Sequence, residues 1–201
     1  MKPLKPHPLF PTLAATLGHG RKLLHAWAGI VFRSVELEFA RSSKLLDGKG
    51  SRKHGARWTA PGAFRSVSLG LDAQGAEHEA RQRAAYYGWR GELLKPRLRV
   101  AVTVNLHRVL DFTSDASAGR MGVTLRELLG EDWRKVNDAG KESLSQALAR
   151  AAHAAGAEGM LVPSAAVGGA SNLVIFVGNV LPESVVQIEN QAELDRWLKK
   201  R

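Results

Sequence analysis

No cysteine occurs in the 201 residues. That removes disulfides, thiolate metal sites and a cysteine nucleophile, and mildly favours a reducing compartment. No apolar run approaches the roughly 20 residues that a membrane span needs. The N-terminal MKPLKPHPLFPTLAATLGHG is basic but interrupted by prolines before a signal-peptide core can form, so a cytoplasmic protein without membrane contact is the expectation. Aromatic residues make up only 6% of the chain and are not interleaved with basic ones, so direct nucleic-acid binding is not expected. A G-x-G-x-x-G turn, a P-loop and a G-x-S-x-G elbow are all missing, which disfavours a dehydrogenase, a kinase and a serine hydrolase. The seven histidines show no H-E-x-x-H spacing, and no metal is expected.

What is present is an ordinary globular composition, 44% hydrophobic and 24% charged, in a chain long enough for one domain with an extension. The net charge of +10 is uneven: residues 1–100 hold 18 Lys/Arg against 7 Asp/Glu, and residues 101–201 hold 11 against 12. A basic half suits an acidic partner protein, a phosphate-bearing ligand or a nucleic acid, and equally a solvated surface. Residues 1–26 read as an irregular arm, because Pro3, Pro6, Pro8 and Pro11 oppose regular structure.

Residues 29–35 and 66–71 read as strands, and 96–104, continuing towards Leu110, as another. Residues 42–54, rich in Gly, Ser and Lys, read as a loop. Asp72 is placed to cap a helix whose small residues Ala76, Ala80 and Ala84 share a face. Helices are expected at 124–129 and at 141–155, where Leu144, Leu148, Ala151 and Ala155 make an apolar stripe. Strands at 159–162, 173–177 and 185–188 and a helix at 191–200 close the chain. Strands and helices do not alternate regularly, so the fold expected is α+β with a mixed or antiparallel sheet.

Several polar residues sit where strands meet loops. Arg33 interrupts the apolar Ile30-Val31-Phe32 strand, and either faces solvent or points into a cleft to hold an anion. Arg57-Trp58 comes after a glycine-containing loop that carries His54. Glu79 lies in the alanine-rich helix, and Ser164 just past the end of a strand. Singly, each fits a structural or solvated role.

In order, these residues carry a pattern. Phe32-Arg33-Ser34 comes first, then Gly50 to Gly62 (GSRKHGARWTAPG), then Phe64-Arg65-Ser66 through Asp72 to Glu79. Gly159-Met160-Leu161-Val162-Pro163-Ser164 and Ser171-Asn172-Leu173 complete it. The pattern, from about Trp27 to Gln187, resembles the RES-domain family of toxin–antitoxin toxins, named for an arginine, a glutamate and a serine that fall here on Arg33, Glu79 and Ser164. The chain departs from it with Ala56 for a glycine, Thr59 for an asparagine and Ser68 for a tyrosine.

The resemblance implies a catalytic domain over residues 27–201, with a fold like that of ADP-ribosyltransferases, that cleaves the nicotinamide–ribose bond of NAD⁺. It implies that Arg33, Glu79 and Ser164 are catalytic and that Arg33, His54, Arg57 and Ser164 bind NAD⁺. It implies transfer of ADP-ribose to water, phosphate or a protein, and a helix-turn-helix antitoxin of the Xre type as partner. The alternative from another class is a non-enzymatic basic module, nucleic-acid-binding or antitoxin-like, whose binding would weaken steeply with salt.

Overall fold

The computed structural model describes residues 3–19, 23–76, 95–165 and 168–200. The N-terminal stretch, expected to be irregular, contains helix α1 (Phe10–His19). Pro11 does not prevent it, because it falls in the first turn, where the N–H that proline lacks has no intrahelical partner. Leu13 and Leu17, one turn apart, are 1% and 2% exposed and pack in the main core. The chain before α1 is tied down as well. Lys5 N–H donates to Gly140 O (2.8 Å), and Glu142 N–H donates to Lys5 O (2.9 Å).

Six strands form one mixed sheet: β1 (Leu24–Glu36), β2 (Ser66–Gly70), β3 (Arg97–Asp111), β4 (Gly159–Pro163), β5 (Ser171–Phe176) and β6 (Val185–Ile188). The strand order is β1-β2-β5-β4-β3-β6, and β1 also pairs with β3, so five strands close into a circuit with β6 on the outside of β3. The β1–β3 ladder is the longest, antiparallel from Leu24–Leu110 to Glu36–Arg97 with a bulge between His25 and Trp27. β3 and β4 run parallel; the other pairings are antiparallel.

Strand alternation divides the core in two. Val67, Leu69, Leu173, Ile175 and Leu161 pack with Val31, Val100, Val102 and Val104 on the inner side of the circuit. Met160, Val162, Val174 and Phe176 face the other way, onto a helical layer. That layer contains α1 and four more helices: α4 (Asp115–Arg120), α5 (Leu125–Gly130), α6 (Trp133–Asp138) and α7 (Leu144–Ala154). Both α5 and α7 open with complete capping boxes, Thr124 with Glu127 and Ser143 with Gln146. The cap at Ser143 starts α7 three residues later than the apolar stripe suggested. A terminal helix, α8 (Gln191–Lys199), comes after β6.

The stretch 42–54, expected to be a loop, forms two short helices, α2 (Ser42–Leu45) and α3 (Lys49–His54). Tertiary contacts hold them. Leu45 is 1% exposed in the inner core, and the Ser51 hydroxyl reaches Ser66 O (2.7 Å) while accepting from Ser66 N–H (3.0 Å).

One buried carboxylate ties the end of β3 to the segment after β5. Glu158, 0% exposed, accepts from the N–H groups of His107 (2.7 Å), Arg108 (2.9 Å) and Leu181 (3.1 Å), and from the Ser184 hydroxyl. Burial alone would raise its pKa, but these four donors together hold it below the usual carboxylate range. A carboxyl depressed by folding stabilises above its unfolded pKa, about 4.3, and loses that contribution as pH falls through the folded value. Melting temperature is therefore expected to be level above about pH 5 and to fall in more acid solution. Glu158→Gln is expected to lower stability by about 2–3 kcal/mol at neutral pH, because an amide hydrogen replaces an acceptor facing N–H donors, and to flatten the acid drop. Thermal melts from acid to neutral pH measure the first, and urea titrations over the same range the second.

Candidate functional site

Arg33 is carried by the long ladder of β1, opposite Val100 of β3. Cross-strand partners point to the same side of a sheet, and Val31 and Val100 belong to the inner core. Arg33 is thus directed inwards rather than towards solvent. Its Nη1 donates to Ser68 O on β2 (3.1 Å). A guanidinium beside an apolar interior has its donors aimed by such a bond, which leaves a fixed cation in a low-dielectric setting.

β1 meets β2 at Phe32 and Gly70, and the same row continues through Asn172 of β5 to Val162 of β4. Gly70 lets the next helix press against the strand, because a Cβ there would lie 3.0 Å from Ala76 N and 3.1 Å from Ala76 Cβ. That helix opens at residue 73, with Asp72 Oδ1 accepting from Gly75 N–H (2.5 Å), as the cap reading expected. Glu79 itself lies outside the described residues.

Ser164 stands directly after β4 and is 7% exposed; its N–H donates to Ala170 O (2.8 Å) across the β4–β5 connection. Arg33 lies one residue along β1 from the row that joins Phe32 to Val162, and its own row runs through Leu69 and Leu173 to Leu161. Ser164 lies two residues past Val162 on the other side of that row, so the registers do not make the two neighbours. His54 is exposed at the end of α3.

Arg57 is drawn to the helical layer. Its Nη1 donates to Leu128 O (3.0 Å) and Glu131 O (3.2 Å), the carbonyls at the end of α5. The loop around it is strapped from α7. Ser145 Oγ donates to Arg57 O (2.8 Å), and Gln146 Nε2 donates to Ala56 O (2.9 Å). Trp58, 5% exposed, packs in the main core, and Thr59 shares a hydrogen bond with the Ser66 hydroxyl.

Asn172, part of the motif pattern, is 6% exposed and alternates with Leu173, so it shares the strand face of Val174 and Phe176 rather than that of Arg33. Two contributors to the loop around Arg57 were not apparent in the sequence. Ser145 and Gln146, 0% and 1% exposed, are polar residues on an otherwise apolar helix face. Only Gln146 had a signal, the Ser-x-x-Gln of the capping box; its second task, holding Ala56, depends on a contact 90 residues away. Among the described residues no group of three or more His, Asp or Glu is placed to hold a metal ion.

A family model described as RES domain matches residues 30–195. A search of curated proteins finds no match. Among solved structures, a chain of the M. tuberculosis MbcT–MbcA toxin–antitoxin complex superposes with a TM-score of 0.70. The match covers 96% of this chain and 100% of that one at 22% identity, which bears on the fold alone. The sheet and its covering helices agree with an α+β domain of that kind.

The contacts of Arg57 make a structural prediction of their own. Replacing it with alanine strands two carbonyls at a helix end, and a hydrogen bond from a charged group contributes about 1.5–3 kcal/mol. Arg57→Ala is expected to lower stability by about 2 kcal/mol in urea titration, whatever its effect on any ligand. A loss below about 0.5 kcal/mol, typical of an exposed side chain, would show that these bonds do not hold α5.

Proposed function

Because the chain belongs to the RES-domain family, we propose that it is the toxin of a toxin–antitoxin pair and cleaves the nicotinamide–ribose bond of NAD⁺. The observation that carries the reading is Arg33, turned inwards on β1 and held by Ser68 O, at the position where the family pattern has its arginine. NAD⁺ brings a pyrophosphate, and a planar guanidinium can donate two parallel hydrogen bonds to phosphate oxygens. In this reading His54 and Arg57 supply further positive or hydrogen-bonding groups to the dinucleotide, Arg57 from its anchorage on α5.

Bond cleavage sends the C1′–N electron pair to the nicotinamide nitrogen. The nicotinamide enters cationic and leaves neutral, so no general acid is needed. Positive charge develops on the ribose, as in glycoside cleavage, and Glu79 is the carboxylate assigned to stabilise it and to orient a ribose hydroxyl. Ser164 is assigned a hydrogen bond to the nicotinamide amide or to the ribose. An acceptor oxygen then bonds to C1′ and releases its proton. Water gives ADP-ribose, phosphate gives its 1-phosphate ester, and a protein side chain gives an ADP-ribosylated protein. Ser68, where relatives carry a tyrosine, removes an aromatic surface and suits a slower enzyme.

The partner in this reading is an antitoxin of the helix-turn-helix, Xre type, consistent with the complex in which the structural neighbour was solved. In the family's toxins that partner blocks the cleft. The site of action is the cytoplasm, where NAD⁺ is shared by the whole cell. No helix among the described residues is long and apolar enough to cross a membrane.

Purified chain mixed with NAD⁺ is expected to release nicotinamide, with the second product identified in the presence of water alone, phosphate or cell lysate. Glu79→Gln and Arg33→Ala are expected to lower the rate about 10²–10³-fold, the usual cost of removing one electrostatic stabiliser, while both variants still fold. Expression of the parent is expected to arrest growth and depress cellular NAD⁺, and Arg33→Ala at matched levels to do neither. Parental NAD⁺ turnover in Glu79→Gln would overturn the role of that residue; no turnover in the parent would overturn the enzyme reading.

A further inference from the structure

Between α3 and the start of β2 lies a shallow basin of about 610 Å³ lined by Lys49, Arg52, Lys53, Gly62 and Arg65. Four of its five lining residues are cations, and none is aromatic. Arg52 and Lys53 each stand one turn of α3 from Lys49. Lys49 Nζ is 3.9 Å from Asp47 Oδ2, a long surface pair of little energetic weight. Among the described residues Arg52, Lys53 and Arg65 have no carboxylate within ion-pair distance. Elsewhere Arg97 meets Glu36 and Arg150 meets Glu142.

The basin is also rigid. Gly48, at φ 63°, brings α3 so close to β2 that a Cβ there would lie 2.9 Å from Ser66 N. Ser51 bonds Ser66 on both sides of its peptide, and Gly62 N–H donates to Arg52 O (2.7 Å). Holding like charges together in a fixed frame raises the energy of the free protein, and a polyanion entering it releases that repulsion with little ordering cost.

We propose that this basin docks an acidic, Asp- or Glu-rich segment of a partner protein chain. A second copy of this chain is a poor occupant, since each carries +10. Nucleic acid fits less well. No aromatic side chain lines the basin to stack a base, and α3 has six residues, about 9 Å, too short to track a groove or a run of phosphates. A carboxylate cluster matches a compact group of arginine and lysine donors. Ser66, which anchors α3, lies two residues along β2 from Ser68, whose carbonyl holds Arg33. The residue that anchors the basin's helix is thus about 7 Å along β2 from the residue whose carbonyl holds Arg33. The inference rests on the antitoxin reading only for which chain carries the segment.

The probe is a fluorescein-labelled octaglutamate peptide, followed by anisotropy at low and near-physiological salt. Arg52→Glu with Lys53→Glu is expected to weaken binding at least tenfold. Lys199→Glu with Lys200→Glu makes the same change in net charge on exposed residues of α8 and its end, and is expected to change binding less than twofold. Equal losses in the two double variants would overturn the proposal in favour of attraction to overall charge. Displacement of the peptide by a short DNA duplex at concentrations below those of unlabelled octaglutamate would overturn it in favour of nucleic acid. NAD⁺ consumption is measured on the same proteins, checked for unchanged melting. Parental turnover in Arg52→Glu with Lys53→Glu is expected, and a parallel loss would overturn the proposal by making the basin part of the substrate site. If the parent itself does not consume NAD⁺, the peptide measurements still stand, so the docking proposal and the enzyme reading fail separately.

Discussion

The antiparallel ladder between β1 and β3 is the constraint on which the rest depends. It closes the circuit β1-β2-β5-β4-β3, and closure leaves an interior that must be filled from every strand at once. Val31, Val67, Leu69, Val102, Leu161, Leu173 and Ile175 fill it. Arg33 belongs to the same inward row of β1, so a charge is brought into a place where an unpartnered polar group is costly. The carbonyl of Ser68 answers part of that cost and aims the guanidinium. A fold that closed elsewhere would leave Arg33 on a surface.

Buried charges in this protein mostly serve the ends of backbone elements. Glu158 gathers three backbone N–H groups and a hydroxyl. Glu142 binds Arg150 with both oxygens at 2.7 Å and also accepts from His7 N–H, which joins the N-terminal segment to α7. Arg57 covers the carbonyls after α5. Each replaces the water that the buried group would lose. Against that background the cations around the α3 basin differ, since the described structure gives Arg52, Lys53 and Arg65 no internal carboxylate. Within a single stretch, residues 49–65, one arginine is structural and the others present charge outward.

Local signals were legible wherever a short segment contains its own physical cause. Val185–Ile188 and Ser66–Gly70 alternate and are strands; Thr124 with Glu127 caps a helix that forms where expected. The segments misjudged are those whose structure is held from outside. The N-terminal arm became α1 because Leu13 and Leu17 found a core, which proline content does not reveal. Residues 42–54 became two helices through Leu45 and Ser51, whose partners lie on other elements. Helices α4 and α6 are as short as α5 but lack the capping box that opens it.

The order of motifs around Arg33, Trp58, Glu79 and Ser164 determined the family by itself, because that order survives without any knowledge of geometry. Composition determined the absence of cysteine chemistry and the basic N-terminal half. The tertiary structure alone decided that Arg33 points inward, that Arg57 caps a helix, and that Gln146 straps the loop at Ala56. It decided also that Lys49, Arg52, Lys53 and Arg65 share one basin. Each of these is a matter of which side chain meets which backbone group across 15 to 90 residues of sequence, and such encounters are set by sheet closure and packing, which no local period encodes.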